Sequence, residues 1–326
     1  MLKYFILISA FLVMMISSKA SAQEFAPVGT AVGQFLEIGV GAKSTAMGEA
    51  YTAMASGASS VFWNPAGLVE TEARGFYLAY TSWPADISIG GMSFAWNFDN
   101  YGSLALSAVY LNTGDMDVTT INDPEGTSGQ QFSLTNYAFG LTYARNLTTR
   151  LSLGATVKMV NEEYFGFGYT TWAMDVGTLY RTAFRGLTMG MSILHFGQEI
   201  AFDGTYTDFS DDQKEKDFKN YSLPITFRVG FMMDVWESGK SKVISTADMT
   251  HPNNNLEQYN WGFEYGFDNM FFVRSGYKFR ADQGGFSLGA GVNYEIDNNL
   301  SAELNYAFSE MGILPSVHRL SAGFTF

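Results

Sequence analysis

The chain has no cysteine, 7 prolines among its 326 residues, and fewer basic than acidic side chains. The lack of cysteine excludes disulfide bonds, thiol catalysis and a cysteine-linked lipid anchor, so hydrogen bonds and packing must stabilise the fold. With 19 Lys and Arg against 32 Asp and Glu, the formal net charge of −13 argues against nucleic acid as a partner. Beyond residue 22, no apolar run reaches the roughly 18 residues expected of a transmembrane helix.

Residues 1–22 have the pattern of a secretory signal peptide. Lys3 provides the positive start, residues 4–16 are apolar, and Ala20-Ser21-Ala22 fits the small residues of a cleavage site. An N-terminal membrane anchor is the alternative, but the apolar run is short of the roughly 20 residues that span a bilayer. We therefore expect export, and loss of Lys3 and Lys19 on cleavage would move the net charge from −13 to −15.

From about residue 75 onward the sequence alternates with a period of two, which indicates strands with different surroundings on their two faces. In EQYNWGFEYGF, residues 257–267, every second position is aromatic and the positions between are polar or glycine. A soluble β-sandwich would also alternate, but these segments are long and their aromatics cluster toward the ends. An aromatic content of 16% with 34 glycines fits a transmembrane β-barrel that is apolar outside and polar inside.

Fourteen such segments follow one another, and an even number is expected of a bacterial single-chain barrel. The connections alternate between long polar ones, such as 113–130 and 198–222, and short turns at 99–101, 146–149, 268–269 and 297–299. This asymmetry predicts long outer loops and tight periplasmic turns. The predicted strands are approximately 75–83, 87–98, 102–112, 131–145, 150–165, 169–181, 187–197, 223–234, 240–250, 257–268, 270–280, 284–296, 299–309 and 317–326.

The last strand ends on an aromatic residue. In RLSAGFTF, Leu320, Phe324 and Phe326 share one face with Ala322. This ending resembles the sorting signal that the outer-membrane barrel assembly machinery reads. We therefore expect the assembly machinery and outer-membrane lipid among the partners.

Residues 23–74 do not alternate and form a separate segment. Met47, Tyr51 and Met54 follow a helical spacing, which predicts one or two short helices among small residues that can pack in a confined space. GVGAKS, residues 39–44, is not a phosphate-binding loop, because Ala42 stands where that motif needs glycine.

Within this segment, EIGVGAKSTAMGEAYTAMASGASSVFWNPAGL resembles the N-terminal signature of the PorV/PorQ family, itself FadL-like. The matching motifs precede a fourteen-stranded outer-membrane barrel in that family. They are Gly41-Ala42-Lys43, Met47-Gly48 and the turn Asn64-Pro65-Ala66-Gly67 with Leu68 after it. The resemblance implies an all-β, 14-stranded antiparallel transmembrane barrel with an N-terminal, partly helical plug in its lumen, over residues 75–326 and 23–74 respectively.

The resemblance implies two functions. In PorV-type proteins the barrel assists type IX secretion and receives the C-terminal domains of exported cargo. The first expectation is therefore an accessory role in protein secretion or surface attachment. Its expected partners are secreted cargo or secretion components. In FadL-type transporters the plug controls the passage of hydrophobic molecules, so the alternative is a channel for a hydrophobic ligand. That alternative predicts an apolar pocket between plug and wall and a kink or gap in one strand. An open porin is disfavoured because the plug would fill the pore.

Nothing in the sequence indicates catalysis, a cofactor or a metal site. His195, His251 and His318 are isolated, and the adjacent pair Glu162-Glu163 is expected to be solvated at a rim. A mixed set of charges on the polar faces is expected to line the lumen, to pair with one another and with the plug backbone, and to select ligands. This set comprises Lys158, Asp175, Glu264, Arg274, Lys278, Glu295 and Glu303.

Overall fold

The computed structural model describes residues 27–164, 166–184, 186–208, 214–297 and 300–326. The expected signal peptide lies outside the described residues. Within them, fourteen antiparallel strands of 9 to 15 residues close into a single barrel in which every strand pairs with its neighbours in chain order. The predicted fold class and strand number are confirmed. No helix in the described part of the chain is long and apolar enough to cross a membrane.

We number the barrel strands in chain order. They are β1 (Arg74–Ser82), β2 (Ser88–Asn97), β3 (Ser103–Asn112), β4 (Thr135–Asn146), β5 (Leu151–Tyr164), β6 (Phe167–Arg181), β7 (Thr188–Gly197), β8 (Thr226–Ser238), β9 (Ser241–Pro252), β10 (Gln258–Phe267), β11 (Phe271–Phe279), β12 (Phe286–Asp297), β13 (Leu300–Met311) and β14 (Leu314–Thr325).

The barrel closes where β1 pairs with β14, from Gly75 opposite Thr325 to Ser82 opposite His318. Phe326 exchanges two backbone hydrogen bonds with Arg74, of 2.8 and 3.0 Å. Leu320 and Phe324 lie on the outward face of β14, and the Phe326 ring contacts Phe94 at 6.3 Å. The residues that form the expected assembly signal thus lie at the closing seam.

The outer wall is a belt of exposed apolar side chains that alternate with buried inward positions. Such a continuous apolar surface fits a hydrocarbon environment, since a soluble protein rarely exposes patches of this size. Members of the belt include Leu106, Phe139, Leu141, Trp172, Val176, Met191, Phe231, Phe263, Val273, Leu288, Leu304 and Leu320.

The two ends of the barrel differ, as the loop lengths predicted. At one end, which we call the long-loop end, the connections β3–β4 and β7–β8 are long, and each contains a small two-stranded pair, Met116–Asp117 with Gln131–Phe132 and Thr205–Asp208 with Lys214–Asp217. At the opposite, short-turn end, Asp99, Asp268 and Asn269 adopt positive φ angles of 50°, 58° and 52°. Asp and Asn tolerate this conformation in tight turns at low cost.

Residues 27–73, which we call the plug, run inside the barrel before β1. They form the 3₁₀ helices Gln34–Glu37, Gly57–Phe62 and Pro65–Glu70 and one short α-helix, α1 (Ala42–Ala46). Short helices are thus present as predicted, but Met47, Tyr51 and Met54 do not lie on one, because α1 ends at Ala46 and turns follow it. The three side chains nevertheless form one buried cluster with Ala55 and Trp63.

Candidate functional site

The barrel interior, where the plug meets the wall, is the candidate functional site. At Gly41-Ala42-Lys43 the plug approaches β1 and β14. Gly41 has a φ of 103°, and a Cβ there would lie 2.2 Å from the hydroxyl oxygen of Tyr77. The Ala42 N–H donates to Oγ of Ser321 at 3.3 Å, and Lys43 pairs with Glu303 at 3.5 Å. This motif therefore needs a residue without a side chain at position 41.

Met47-Gly48 contacts two glycines of the wall. A Cβ on Gly276 would lie 2.0 Å from the backbone nitrogen of Gly48, and one on Gly262 would lie 2.6 Å from the carbonyl oxygen of Met47. Gly48 itself has a φ of 63°, and a Cβ on it would lie 2.7 Å from the backbone nitrogen of Tyr277. Backbone packs on backbone here, which only glycine permits.

The Asn64–Leu68 turn is held by hydrogen bonds of the Asn64 side chain. The Asn64 side chain donates to the carbonyl oxygens of Thr52 (2.9 Å) and Thr178 (3.0 Å) and accepts from Ala66 N–H (3.1 Å). It thereby caps the helix Pro65–Glu70, with Pro65 at its first position, where proline is favoured.

The same turn fits against glycines of β5 and β6. A Cβ on Gly154 would lie 2.3 Å from the carbonyl carbon of Pro65, and one on Gly177 would lie 2.0 Å from Oδ1 of Asn64. Ala66 and Leu68 are fully buried, and Gly67 stands close to the Ala55 carbonyl. Glycines of the wall thus lie opposite the plug motifs and leave room for their backbone.

Two wall carboxylates that the sequence did not mark as plug contacts hold the plug backbone. Glu162 is 1% exposed and accepts hydrogen bonds from Gly33 N–H (2.7 Å) and the Tyr164 and Tyr169 hydroxyls (2.5 Å each). The expectation that Glu162 is solvated was wrong, because the N-terminal part of the plug covers it. Asp248 accepts from the N–H groups of Tyr51 (3.1 Å) and Thr52 (2.8 Å).

The expected lumen charges lie in pairs. Lys158 bonds Asp175 at 2.7 Å, and Arg274 bonds Glu264 at 2.5 Å and Asn305 at 2.6 Å. The remaining pairs join wall to plug: Glu303 bonds Lys43 of the plug, and Lys278 bonds Glu49 of the plug at 2.5 Å. Glu295 is the exception, since it is exposed near the short-turn end of β12.

Above the plug, toward the long-loop end, lies a cavity of about 470 Å³, which we call the long-loop cavity. Its lining contains both apolar and charged side chains. The apolar residues include Leu36, Ile38, Val40, Phe62, Val109 and Leu194, and the charged residues include Glu37, Glu49, Lys158, Arg228 and Lys278. The apolar pocket expected of a hydrophobic channel is thus present only in part, because charged side chains share its lining.

A second cavity of about 220 Å³, the short-turn cavity, lies on the opposite side of the plug. Its lining is mainly polar and comes from the plug and from strand ends near the closing seam. It includes Lys43, Ser56, Glu72, Ser301, Glu303 and Thr325.

Two plug carboxyls border the long-loop cavity with opposite pKa shifts. Burial raises the pKa of Glu37 above its ordinary value, and the hydrogen bond from Asn254 at 3.1 Å opposes this only in part. Burial also acts to raise the pKa of Glu49, but the charges of Lys278 and Arg228 outweigh it and hold that pKa below its ordinary value. Glu49 is therefore ionised at neutral pH and keeps its pair with Lys278.

A β-bulge interrupts the wall beside the long-loop cavity. Val176 of β6 pairs with Ile193 and Met174 pairs with Phe196, so Leu194 and His195 of β7 together face Asp175. His195 has a φ of 61°, and its N–H donates to Oδ1 of Asp175 at 2.8 Å. This irregularity corresponds to the strand kink that the channel alternative predicts.

Near the bulge, the pairing of β7 with its other neighbour, β8, ends. The ladder between β7 and β8 runs from Thr188 to Leu194, and beyond it a Cβ on Gly197 would lie 2.8 Å from Cδ1 of Leu223. Leu223 and Phe35 of the plug are buried in one apolar cluster with Ala138, Val160 and Ala173. Backbone pairing resumes where Ile200 and Tyr221 exchange two hydrogen bonds of 2.8 Å, so side chains fill only the interval between the ladder and this bridge.

Among the described residues, no group of three or more His, Cys, Asp or Glu side chains lies close enough to hold a metal ion. His195 contacts Lys158 at 3.0 Å, while His251 and His318 have separate partners in Glu257 and Tyr306.

Comparison with known proteins gives a match at the level of structure alone. No family model matches the sequence, and no curated protein matches it. A Pseudomonas aeruginosa FadL homologue superposes with a TM-score of 0.58 at 11% identity, covering 89% of this chain and 99% of that one. The Pseudomonas putida toluene transporter TodX gives 0.57 at 13% identity, covering 86% and 96%.

A third structure, the CymD monoaromatic hydrocarbon channel, gives a TM-score of 0.56 at 15% identity and covers 88% of this chain and 96% of that one. All three are described as channels, transporters or a FadL homologue, and none as an enzyme. At these identities the likeness shows the fold: the chain shares the barrel fold of these three proteins.

Proposed function

We propose that this protein is an outer-membrane channel for small hydrophobic molecules, with the long-loop end outside the cell and the short-turn end in the periplasm. The observation that carries the proposal is the long-loop cavity, which lies between plug and wall and takes apolar side chains from both. A solute of the size of a single aromatic ring fits within about 470 Å³. The shared fold with hydrocarbon channels supports the same reading.

The bulge at His195 and the end of the β7–β8 ladder support a route at the wall. Phe35 and Leu223 close this place with apolar side chains. Between the end of the ladder and the backbone bridge of Ile200 with Tyr221, movement of side chains opens the wall at lower cost than breaking strand pairs. A hydrophobic solute that leaves here enters the membrane rather than water.

The test is uptake of radiolabelled toluene by cells that lack the gene, with and without a plasmid copy. We expect a higher initial rate in the complemented cells, at equal outer-membrane integrity measured by exclusion of a large antibiotic. Equal rates in both strains would contradict the proposal.

A second candidate is an accessory role in protein secretion of the PorV/PorQ type. It is supported by the motifs Gly41-Ala42-Lys43, Met47-Gly48 and Asn64–Gly67, which are among the plug residues that contact the wall. This candidate predicts that deletion strands exported cargo in the periplasm and that the tagged barrel co-purifies with cargo. Normal export in the deletion strain would contradict it.

A further inference from the structure

Trp63 lies between the two cavities. Among the described residues that line either cavity, Trp63 is the one that lines both. It is 2% exposed and follows the helix Gly57–Phe62 of the plug. The cavities that it borders have volumes of about 470 Å³ and about 220 Å³.

Plug and wall groups hold the indole from several sides. Its Nε1–H donates to the carbonyl oxygen of Val40 at 2.8 Å, and Tyr51 packs edge-on with ring centroids 6.0 Å apart. A Cβ on Gly39 would lie 3.0 Å from the six-membered ring. Oγ of Ser192, on β7, donates to the Trp63 carbonyl at 3.1 Å.

The remaining face of the ring is covered by Arg228 of β8, whose Cζ lies 4.9 Å from the ring centroid. Arg228 is 8% exposed, and its Nε and Nη1 have no hydrogen-bond partner among the described residues. A buried guanidinium normally has acceptors for its N–H groups. The indole face is therefore a direct contact of this cation, beside the attraction of the carboxylates of Glu37, Glu49 and Asp248.

We propose that Trp63 sets the size of solute that passes between the two cavities, and that Arg228 is the positioning residue that holds the indole closed. This inference rests on the proposed channel function, and the path past Trp63 is a second route beside the one through the wall at Phe35 and Leu223. A Trp that served only the core would contribute stability and no barrier. The two readings differ in what a smaller residue at position 63 does: it opens a path in one case and leaves a closed void in the other.

The first experiment is ion conductance of the purified full-length barrel in planar bilayers. We expect a severalfold higher steady conductance for Trp63→Ala than for wild type, with Trp63→Phe in between. Phe62→Ala is the matched control, because Phe62 is adjacent to Trp63 and lines the long-loop cavity but not the short-turn cavity. Heat-modifiable migration on gels checks that each variant is a folded barrel, and Trp63→Phe keeps the test available where the alanine variant does not fold.

Wild-type conductance for both Trp63→Ala and Trp63→Phe, or an equal rise for Phe62→Ala, would overturn the proposal. Ion flux needs no natural solute, so this result is separate from toluene uptake. Raised conductance with no uptake by wild type keeps Trp63 as the constriction and refutes the proposed solute. Toluene uptake by wild type without any conductance change in the Trp63 variants keeps the proposed solute and refutes Trp63 as the constriction.

The second experiment reads the position of the indole by ¹⁹F NMR of protein labelled with 5-fluorotryptophan, with the Trp63 signal assigned from Trp63→Phe. We expect Arg228→Met to shift or split that signal and Arg228→Lys, which keeps a cation, to restore it. The signals of Trp172 and Trp236, which are 63% and 50% exposed, are the internal control for an intact wall. An unchanged Trp63 signal in Arg228→Met would contradict the role of Arg228.

Discussion

Replacement of Asn64 tests whether the plug is held locally and separately from the barrel wall. Its side chain makes three hydrogen bonds, to Thr52, Thr178 and Ala66, and it is fully buried. At about 1 kcal/mol net for each bond, Asn64→Ala should weaken the plug by about 3 kcal/mol. Since about 1.4 kcal/mol changes an equilibrium constant tenfold, the equilibrium constant for local opening of the plug should rise by roughly 150-fold.

The assay is hydrogen exchange followed by mass spectrometry on the barrel in lipid nanodiscs. Peptides from residues 50–68 should exchange faster in Asn64→Ala, whereas peptides from β10 should keep their wild-type rates. Asn64→Asp should exchange at least as fast as the alanine variant, because it replaces the amide donor with an oxygen that faces two carbonyls.

Ser59→Ala is the matched control, since Ser59 makes one local bond, to the Ser56 carbonyl at 3.0 Å. Two results would refute the reasoning. Unchanged exchange in Asn64→Ala would show that the side-chain bonds do not hold the plug. Failure of the variant to assemble would show that the plug and the wall fold as one unit.

The other predictions concern the wall. Glu162→Gln should weaken the contact with Gly33 by about 1–3 kcal/mol, because one accepting oxygen becomes a donor. Hydrogen exchange at residues 28–38 should therefore rise. Glu163→Gln, on the exposed face of the same strand, should leave the exchange of these residues unchanged. Gly276→Ala should displace Met47-Gly48 at a cost of about 1–3 kcal/mol, since its Cβ meets backbone, and increase exchange at residues 46–49. The outward Ser275→Ala should have no such effect, and equal exchange in the two variants would contradict the close approach.

The wall could be predicted from the sequence because its environment repeats every two residues. Each strand has lipid on one side and the crowded lumen on the other, so EQYNWGFEYGF predicts β10 (Gln258–Phe267) without knowledge of its neighbours. The alternation of loop lengths follows from the same closed, antiparallel topology.

The plug could not be predicted in the same way, because it is surrounded by protein on all sides and its backbone follows the shape of the wall. Met47, Tyr51 and Met54 have helical spacing, yet their burial comes from turns that pass close to Gly262 and Gly276. Glu162 lies next to another acid, and this local pattern predicts a solvated charge. Its partner Gly33 is 129 residues away in the sequence, so no neighbouring residue indicates its burial. No local signal marks the bulge at His195 either.

The central claim is that solute passes through the long-loop cavity, and a matched pair of variants on β3 tests it most directly. Val109 faces this cavity, whereas its neighbour Ala108 lies on the lipid side of the strand. The initial rate of radiolabelled toluene uptake should fall severalfold in Val109→Trp and stay at the wild-type rate in Ala108→Trp, at equal barrel levels. Equal uptake by both variants would contradict the account.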